Sequence, residues 1–136
     1  MINWPKQPEK DGGTRPLTST HSVLGYEDTL VSVQDIEWKL DSQKQTNREV
    51  KAQLEAFTQS VHDSIDQHGM RWPIILKEGQ DKKYTCYIGN DRMAYAVENN
   101  YTHISAIVVD NATDKLKIVQ RTRQHDALEG FSDTVS

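Results

Sequence analysis

The 136-residue chain has one cysteine, no long apolar run and no excess of positive charge. Cys86 has no partner for an internal disulfide, and no group of cysteines and histidines has the spacing of a zinc site. No apolar stretch approaches the roughly 20 residues of a membrane-spanning helix. A net charge of −4 argues against a broad nucleic-acid-binding surface, which normally has a basic excess. We therefore expect a globular domain without a metal site and, since residues 1–10 lack a signal-peptide core, a cytoplasmic location.

Composition divides the chain into three segments. Residues 1–27 are dense in Pro, Gly, Ser and Thr, which predicts a flexible N-terminal arm. Trp4 is an anchor candidate that could attach this arm to the domain or to a protein partner. Residues 28–128 contain the periodic apolar pattern of one folded domain, and residues 129–136 are expected to be a frayed tail.

The folded segment alternates strand and helix patterns. Thr46 and Glu49 have the spacing of a capping box, and an apolar stripe with helical spacing follows them. The stripe consists of Val50, Leu54, Phe57, Val61 and Ile65. Strands are predicted over 30–35, 73–78, 84–88 and 104–109, with later helices after residue 89 and over 113–128. The order β-α-β-β-α-β-α indicates an α/β (α+β) fold, a small mixed sheet with packed helices.

The segment "GNDR", residues 89–92, is a sharp turn at the start of a predicted helix. Gly89 permits a tight turn, and Asn90 or Asp91 can cap the helix. The first amides of a helix attract anions, and Arg92 could grip a phosphate beside them. An ordinary capped turn, with Arg92 paired to a nearby acid on the surface, explains the same residues. The spacing alone leaves both interpretations open.

The order of motifs resembles the ParB/sulfiredoxin superfamily, and in particular the N-terminal domain of ParB, over residues 30–110. The matching pieces are a strand ending in "DI", the long helix, "MRWPIIL", "YIGNDRMAYA" and "THISAIVV". The residues at comparable places are Ile65, Gly69, Pro73, Ile74, Gly89, Arg92 and Ala96. The resemblance implies a nucleotide or phosphate site, with CTP or ATP and magnesium as candidate ligands. Its site residues would be Gly89, Asn90, Asp91 and Arg92, with Arg71 and Trp72 near the base.

The departures from the family pattern limit which catalytic activities of the family can be expected of this chain. Sulfiredoxin activity needs a thiolate where this chain has Asn90, and Cys86 is expected to be buried and inert in the preceding strand. The ParB glutamate associated with hydrolysis is replaced by Asn90, and an amide cannot act as a general base. Asp91 replaces an arginine of the ParB motif and adds negative charge. Little or no turnover is therefore expected, and catalytic residues are not assigned.

Three functions stay open on this reading. The first is a stand-alone nucleotide-binding or nucleic-acid-phosphate-binding domain, of the kind that phages and plasmids encode. The second is an interaction module, a regulator or inhibitor of a host protein, that keeps the fold without its ligand. The third is a ParB-like nuclease, whose candidate carboxylates are Asp63, Asp66, Asp91 and Asp110. An enzyme of this fold would be a nucleoside triphosphate hydrolase or a nuclease.

The C-terminal part of the chain bears on DNA binding. About 26 residues follow Asp110, too few for the helix-turn-helix region and dimerisation segment of a ParB protein. Sequence-specific DNA binding is therefore not expected, although a homodimer stays open. Lys117, Arg121 and His125 recur at intervals of four on the last helix and could contact phosphate or a partner. A solvated helix face explains the same spacing.

Overall fold

The computed structural model describes the backbone of residues 14–129 and the side chains of residues 14–124. Within residues 14–129 six strands are formed: β1 (Pro16–Leu17), β2 (Thr29–Ser32), β3 (Ile36–Glu37), β4 (Ile74–Glu78), β5 (Tyr84–Ile88) and β6 (His103–Val109). Four α-helices accompany them: α1 (Asp41–Lys44), α2 (Arg48–His68), α3 (Asn90–Glu98) and α4 (Ala112–Glu129). Trp4 and the predicted tail after Glu129 lie outside the described residues, as does the side chain of His125.

The strands form one mixed sheet in the order β1-β6-β4-β5-β3, and β2 also pairs with β6. β4 is parallel to β6, with Ile74 opposite Ala106, and antiparallel to β5. β2 runs antiparallel to β6, whereas the two-residue strands β1 and β3 pair in parallel with β6 and β5. The fold is therefore the mixed α/β domain that the sequence predicts.

Alternate side chains of the central strands enter two separate cores. Ile74 and Leu76 of β4 face the core that α2 and α3 cover, whereas Ile75 belongs to the core that contains Ile118 of α4. This two-sided burial explains why "PIIL" and, apart from Ser105, "ISAIVV" are apolar throughout. Each fully buried aliphatic side chain contributes about 1.5–3 kcal/mol of transfer free energy. The face under α2 and α3 is called here the α3 face, and the other the α4 face.

Helix α2 differs from its predicted start and from its predicted burial. Its N-cap is Asn47, whose Oδ1 accepts from the Val50 amide at 3.1 Å, instead of a Thr46–Glu49 capping box. Val61 and Ile65 are buried, but Val50 and Phe57 remain 38% and 37% exposed. A helix of 21 residues is about 32 Å long, so its first turns extend past the small sheet and pack against α1 instead.

Residues 14–27, which the sequence places in the N-terminal arm, are packed against the domain. Leu17 and Val23 are buried, and the amides of Thr20 and His21 donate to the carbonyl oxygens of Met70 and Arg71. The pairing of β1 with β6 attaches the segment at its other end. Pro, Ser and Thr suit this extended course, so composition alone does not separate a packed segment from a free one.

The predicted strand over residues 30–35 is also divided in the structure. A strand ends at Ser32, one turn of 3-10 helix covers Val33–Asp35, and the chain returns to a strand at Ile36. Within residues 14–129, no helix has both the length and the apolar character needed to span a membrane.

Candidate functional site

Gly89 is the residue at which β5 turns into α3. Its φ of +109° lies in the left-handed region, where side chains are strained. A Cβ at this position would lie 2.6 Å from Cγ2 of Ile74 on β4. Glycine is therefore required here by the close packing of the turn on β4, independently of any ligand.

Arg92 occupies the first turn of α3 and points into the protein. The side chain is 0% exposed, and its Nη1 lies 3.4 Å from both the carbonyl oxygen of Trp72 and that of Pro73. The guanidinium thus connects the "GNDR" turn to the segment that enters β4. The phosphate role that the resemblance gives Arg92 stays a prediction, and in this structure the side chain donates to backbone carbonyl oxygens.

Asn90 and Asp91 make the other polar contacts of the turn. Asn90 Oδ1 accepts from the backbone amide of Lys39 at 3.2 Å. The carboxylate of Asp91 is buried, and its Oδ1 accepts from Thr58 Oγ1 of α2 at 2.5 Å. The carbonyl oxygen of Asp91 lies 3.1 Å from His62 Nε2. Both side chains therefore hold the start of α3 against neighbouring elements.

A cavity of about 90 Å³ lies at this amino terminus, between α1, α2 and α3. It is lined by Asp41, Ser42, Leu54, Phe57, Thr58, Asn90 and Asp91. The sequence predicted only the last two of these. Asp41 and Ser42 come from the one-turn helix α1 and carry no motif, and Thr58 is identifiable only from its place beside the apolar stripe of α2. We call this space the α3 cavity.

Arg71 and Trp72 lie apart from the α3 cavity. Both side chains are buried, and the ring of Trp72 lies 5.0 Å from the ring of His21, between centroids. Trp72 instead borders a larger cavity of about 370 Å³ on the α4 face, together with Arg121. The structure therefore brings the backbone of Trp72 to the "GNDR" turn through Arg92, but places its indole elsewhere.

Cys86 is buried on β5, as the sequence predicts. Burial raises the pKa of its thiol from an ordinary 9.0 to about 12, although the positive charge of Arg92 lowers it somewhat. Its Sγ lies 3.5 Å from the carbonyl oxygen of Ile88. A buried neutral thiol is a poor nucleophile, because the thiolate is the reactive form.

The acids considered for a nuclease are dispersed. Asp63 and Asp66 lie on α2, where they accept from Gln59 and from the Tyr95 hydroxyl. Asp91 is at the start of α3, and Asp110 follows β6. Across the residues that the structure describes, no three His, Cys, Asp or Glu side chains form a group that could hold a metal ion.

Two solved structures are similar to this chain. Sulfiredoxin from Arabidopsis thaliana is 18% identical, with a TM-score of 0.46, and the match covers 67% of this chain and 93% of that one. The second structure is the C-terminally truncated chromosome-partitioning protein ParB from Caulobacter crescentus, complexed with CTP-gamma-S. It is 17% identical to this chain, with a TM-score of 0.46. That match covers 63% of this chain and 46% of the ParB chain. Both similarities concern the fold alone.

The sequence itself matches a protein family over most of its length. No curated protein matches it, but the family model of the ParB N-terminal domain matches residues 27–122. The matched region begins just before β2 and ends within α4, so it includes the "GNDR" turn and the elements around the α3 cavity. Because the match spans more than half of the chain, the protein belongs to the ParB N-terminal domain family.

Proposed function

We propose that this domain binds a nucleoside triphosphate as its magnesium complex at the amino terminus of α3, with little or no turnover. The observation that carries the proposal is the α3 cavity, which places oxygen-bearing side chains beside the turn of the family motif. Membership of the ParB N-terminal domain family supports a site in the same region, because the resemblance implies that this turn binds the phosphate of the nucleotide.

The amino terminus of α3 supplies the attraction for phosphate. The positive end of a helix dipole and the first backbone amides favour an anion. The N-cap residue is Gly89, which has no side chain to occupy those amides. A nucleotide phosphate at this end would therefore meet backbone donors, with Asn90 and Asp91 beside it.

The carboxylates of the cavity explain why magnesium is part of the proposal. Asp41 and Asp91 both line the cavity and would repel a bare phosphate. Mg²⁺ is usually held by one or two carboxylates together with substrate phosphates. The donor set therefore fits this ion: the two aspartates would hold it, with the hydroxyl groups of Ser42 and Thr58 nearby. Bound there, the ion would neutralise the carboxylates and the phosphate together.

Weak turnover follows from the groups that the site contains. Hydrolysis requires a group that orients or deprotonates the attacking water. Asn90 is an amide whose Oδ1 already accepts from Lys39, and Asp91 already accepts from Thr58. An amide cannot act as a general base, and the carboxylate of Asp91 would be occupied by the ion, so the proposed role is to bind nucleotide as a signal rather than consume it.

Thermal unfolding in the presence of nucleotides tests this function. CTP and ATP should each be titrated with Mg²⁺ and again with a chelator. A ligand at 100 times its Kd stabilises a protein by about 2.7 kcal/mol, so the midpoint should rise with nucleotide concentration, and only with magnesium. Asp91→Asn should abolish the rise, because the amide keeps the shape but not the charge. Asp110→Asn, outside the cavity, should leave the rise unchanged.

Arg92 is a poor variant for this test. Its buried side chain holds two carbonyl oxygens, so truncation would lower stability whether or not nucleotide binds. The proposal is overturned if neither nucleotide raises the midpoint of the wild-type chain, or if the rise is the same without magnesium.

A second function, an interaction module that keeps the fold and lacks a nucleotide site, is favoured by the full burial of Arg92. The guanidinium is bonded to backbone carbonyl oxygens and Trp72 is buried, so two of the expected ligand residues serve the fold. The exposed side chain of Leu24 offers an apolar contact on the α4 face. If the chain is such an interaction module, no nucleotide should raise the midpoint of thermal unfolding in the titration above.

A further inference from the structure

Strand β2 lies at an edge of the sheet. Ala106 of β6 has Thr29 of β2 on one side and Ile74 of β4 on the other. Across residues 14–129, β6 is the one strand that pairs with β2. The side of β2 that faces away from β6 is therefore an open edge of the sheet within the described part of the chain.

The backbone groups of β2 that point to this edge can be identified from the register. The amide of Val33 donates to the carbonyl oxygen of Thr102 at 2.9 Å, which continues the register of β2 with β6 by one pair. Opposite residues of an antiparallel ladder alternate between hydrogen-bonded and non-hydrogen-bonded pairs. Val31 therefore directs its N–H and C=O groups to β6, whereas Leu30 and Ser32 direct theirs to the edge.

The edge lacks most of the features that protect exposed strands from pairing with other chains. Proteins usually place proline, a bulge or a charged residue such as lysine at such an edge, or keep the strand very short. Strand β2 has four residues, but its sequence "TLVS" contains no proline and no charge, and its pairing with β6 is regular. Leu30 is 48% exposed. The edge is therefore able to accept another strand, and it offers that strand an apolar side chain.

We propose that two copies of this chain associate through β2, with the two strands antiparallel about a two-fold axis at Leu30. The N–H and C=O groups of Leu30 in one copy would then bond to those of Leu30 in the other, because this residue faces the edge. Ser32 of each copy would lie opposite Asp28 of the other. A two-fold interface needs a surface that is complementary to itself, and the alternation of β2 meets that requirement. The two sheets would form one continuous sheet.

The side chains favour a second copy in this register. Opposite residues of an antiparallel pair share a face, so the two exposed Leu30 side chains would cover each other. An axis at Val31, the neighbouring possibility, would place each Leu30 opposite Ser32. It would also bring Glu27 of one copy towards Asp35 of the other, and like charges opposite each other destabilise a strand pair. The axis at Leu30 avoids this repulsion.

Sedimentation velocity of the wild-type chain tests the association. Strands this short bury a small area, and complexes that bury less than about 1,200 Å² are weak and transient. The sedimentation coefficient should therefore rise with concentration up to about 1 mM. Leu30→Pro removes an N–H that points away from β6, so it should lower the association constant at least about tenfold without unfolding the domain. Circular dichroism confirms that each variant is folded.

Opposite charges at residue 30 test the position of the axis. Leu30→Lys and Leu30→Glu should each weaken association at least about tenfold, because like charges would face each other across the axis. An equimolar mixture of the two variants should restore association, since each lysine would then face a glutamate. The matched control is Leu116→Lys on α4, where the leucine is 58% exposed, and this variant should associate like the wild type.

The dimer and the nucleotide site can fail separately. Asp91→Asn alters only the α3 cavity and should associate like the wild type. Three results would each overturn the dimer. They are a sedimentation coefficient of the wild type that stays constant up to about 1 mM, an unchanged association constant in Leu30→Pro, and a mixture of Leu30→Lys with Leu30→Glu that associates no better than either variant alone.

Discussion

The guanidinium of Arg92 on α3 donates to the carbonyl oxygen of Trp72, which lies 20 residues earlier and just before β4. The same Nη1 lies at 3.4 Å from the carbonyl oxygen of Pro73. Pro73 has no backbone N–H to donate, and the buried guanidinium of α3 supplies a donor to the two carbonyl oxygens at the entry to the strand. This contact makes Arg92 a structural residue whatever else the turn binds.

Replacing Arg92 should therefore destabilise the domain. Arg92→Met fills the space but leaves two buried carbonyl oxygens without this donor, and we expect a loss of about 3 kcal/mol in the free energy of unfolding. Urea denaturation measures it. The control Arg123→Met changes an exposed position and should cost less than about 0.5 kcal/mol. Equal costs for the two variants would show that the contact contributes nothing.

Gly89→Ala should also destabilise the fold, for a steric reason. The left-handed φ strains any side chain, and the added Cβ would overlap Cγ2 of Ile74 at 2.6 Å. We expect a loss of about 2–3 kcal/mol, measured by urea denaturation. At Gly79, in the β4–β5 turn, the nearest atom to an added Cβ is at 3.3 Å and φ is not in the left-handed region. Gly79→Ala should therefore cost clearly less, and the reverse order would refute this explanation.

The hydroxyl of Tyr95 donates to Asp66 Oδ1 at 2.5 Å and connects α3 to α2. Burial and then this carboxylate raise the pKa of Tyr95, so the hydroxyl stays protonated and able to donate. Tyr95→Phe should lower the free energy of unfolding by about 1 kcal/mol. In a double-mutant cycle with Asp66→Ala, the two costs should not add, because each substitution removes the same hydrogen bond. Additive costs would mean that the two groups do not interact.

Cys86 should make stability depend on pH in alkaline solution. Burial raises the pKa of the thiol from 9.0 to about 12 in the folded state. Below pH 9.0 the thiol keeps its proton in both the folded and the unfolded chain. Between pH 9.0 and about 12 only the unfolded chain releases this proton, so the free energy of unfolding falls as the pH rises. The slope should approach about 1.4 kcal/mol per pH unit.

Urea denaturation at about pH 8 and about pH 10 checks this for the wild type and for Cys86→Ala. The variant should lose less stability between the two pH values, since it lacks the thiol. The raised pKa of Tyr95 also makes stability depend on alkaline pH, but it does so equally in both proteins. An identical loss would show that the thiol titrates normally in the folded state.

The sequence predicted the elements whose signals are local or periodic. The β4, β5 and β6 strands and helices α2 and α3 follow from apolar runs and from Gly69 and Gly89 at the helix boundaries. The start of α2 was misplaced because Thr46 and Asn47 are both good caps, and only tertiary geometry decides between them. The packing of residues 14–27 depends on β6 and Met70, which are distant in sequence.

The candidate site could be predicted only in part, for a similar reason. The "GNDR" turn is a local pattern, but the direction of the Arg92 side chain depends on the carbonyl oxygens before β4. Asp41, Ser42 and Thr58 reach the cavity from two other helices and form no motif with the turn. The sequence offered a phosphate or a nearby acid as the partner of Arg92, whereas in the structure the side chain donates to carbonyl oxygens.

The most direct test of the nucleotide site is an NMR titration of the isotope-labelled chain with CTP and Mg²⁺, following the backbone amides. The account predicts shifts at Ser42, Asn90 and Asp91 that saturate with nucleotide and disappear when magnesium is chelated, with the amides around Tyr87 unaffected. An absence of shifts at the start of α3, or shifts confined to the α4 face, would contradict it.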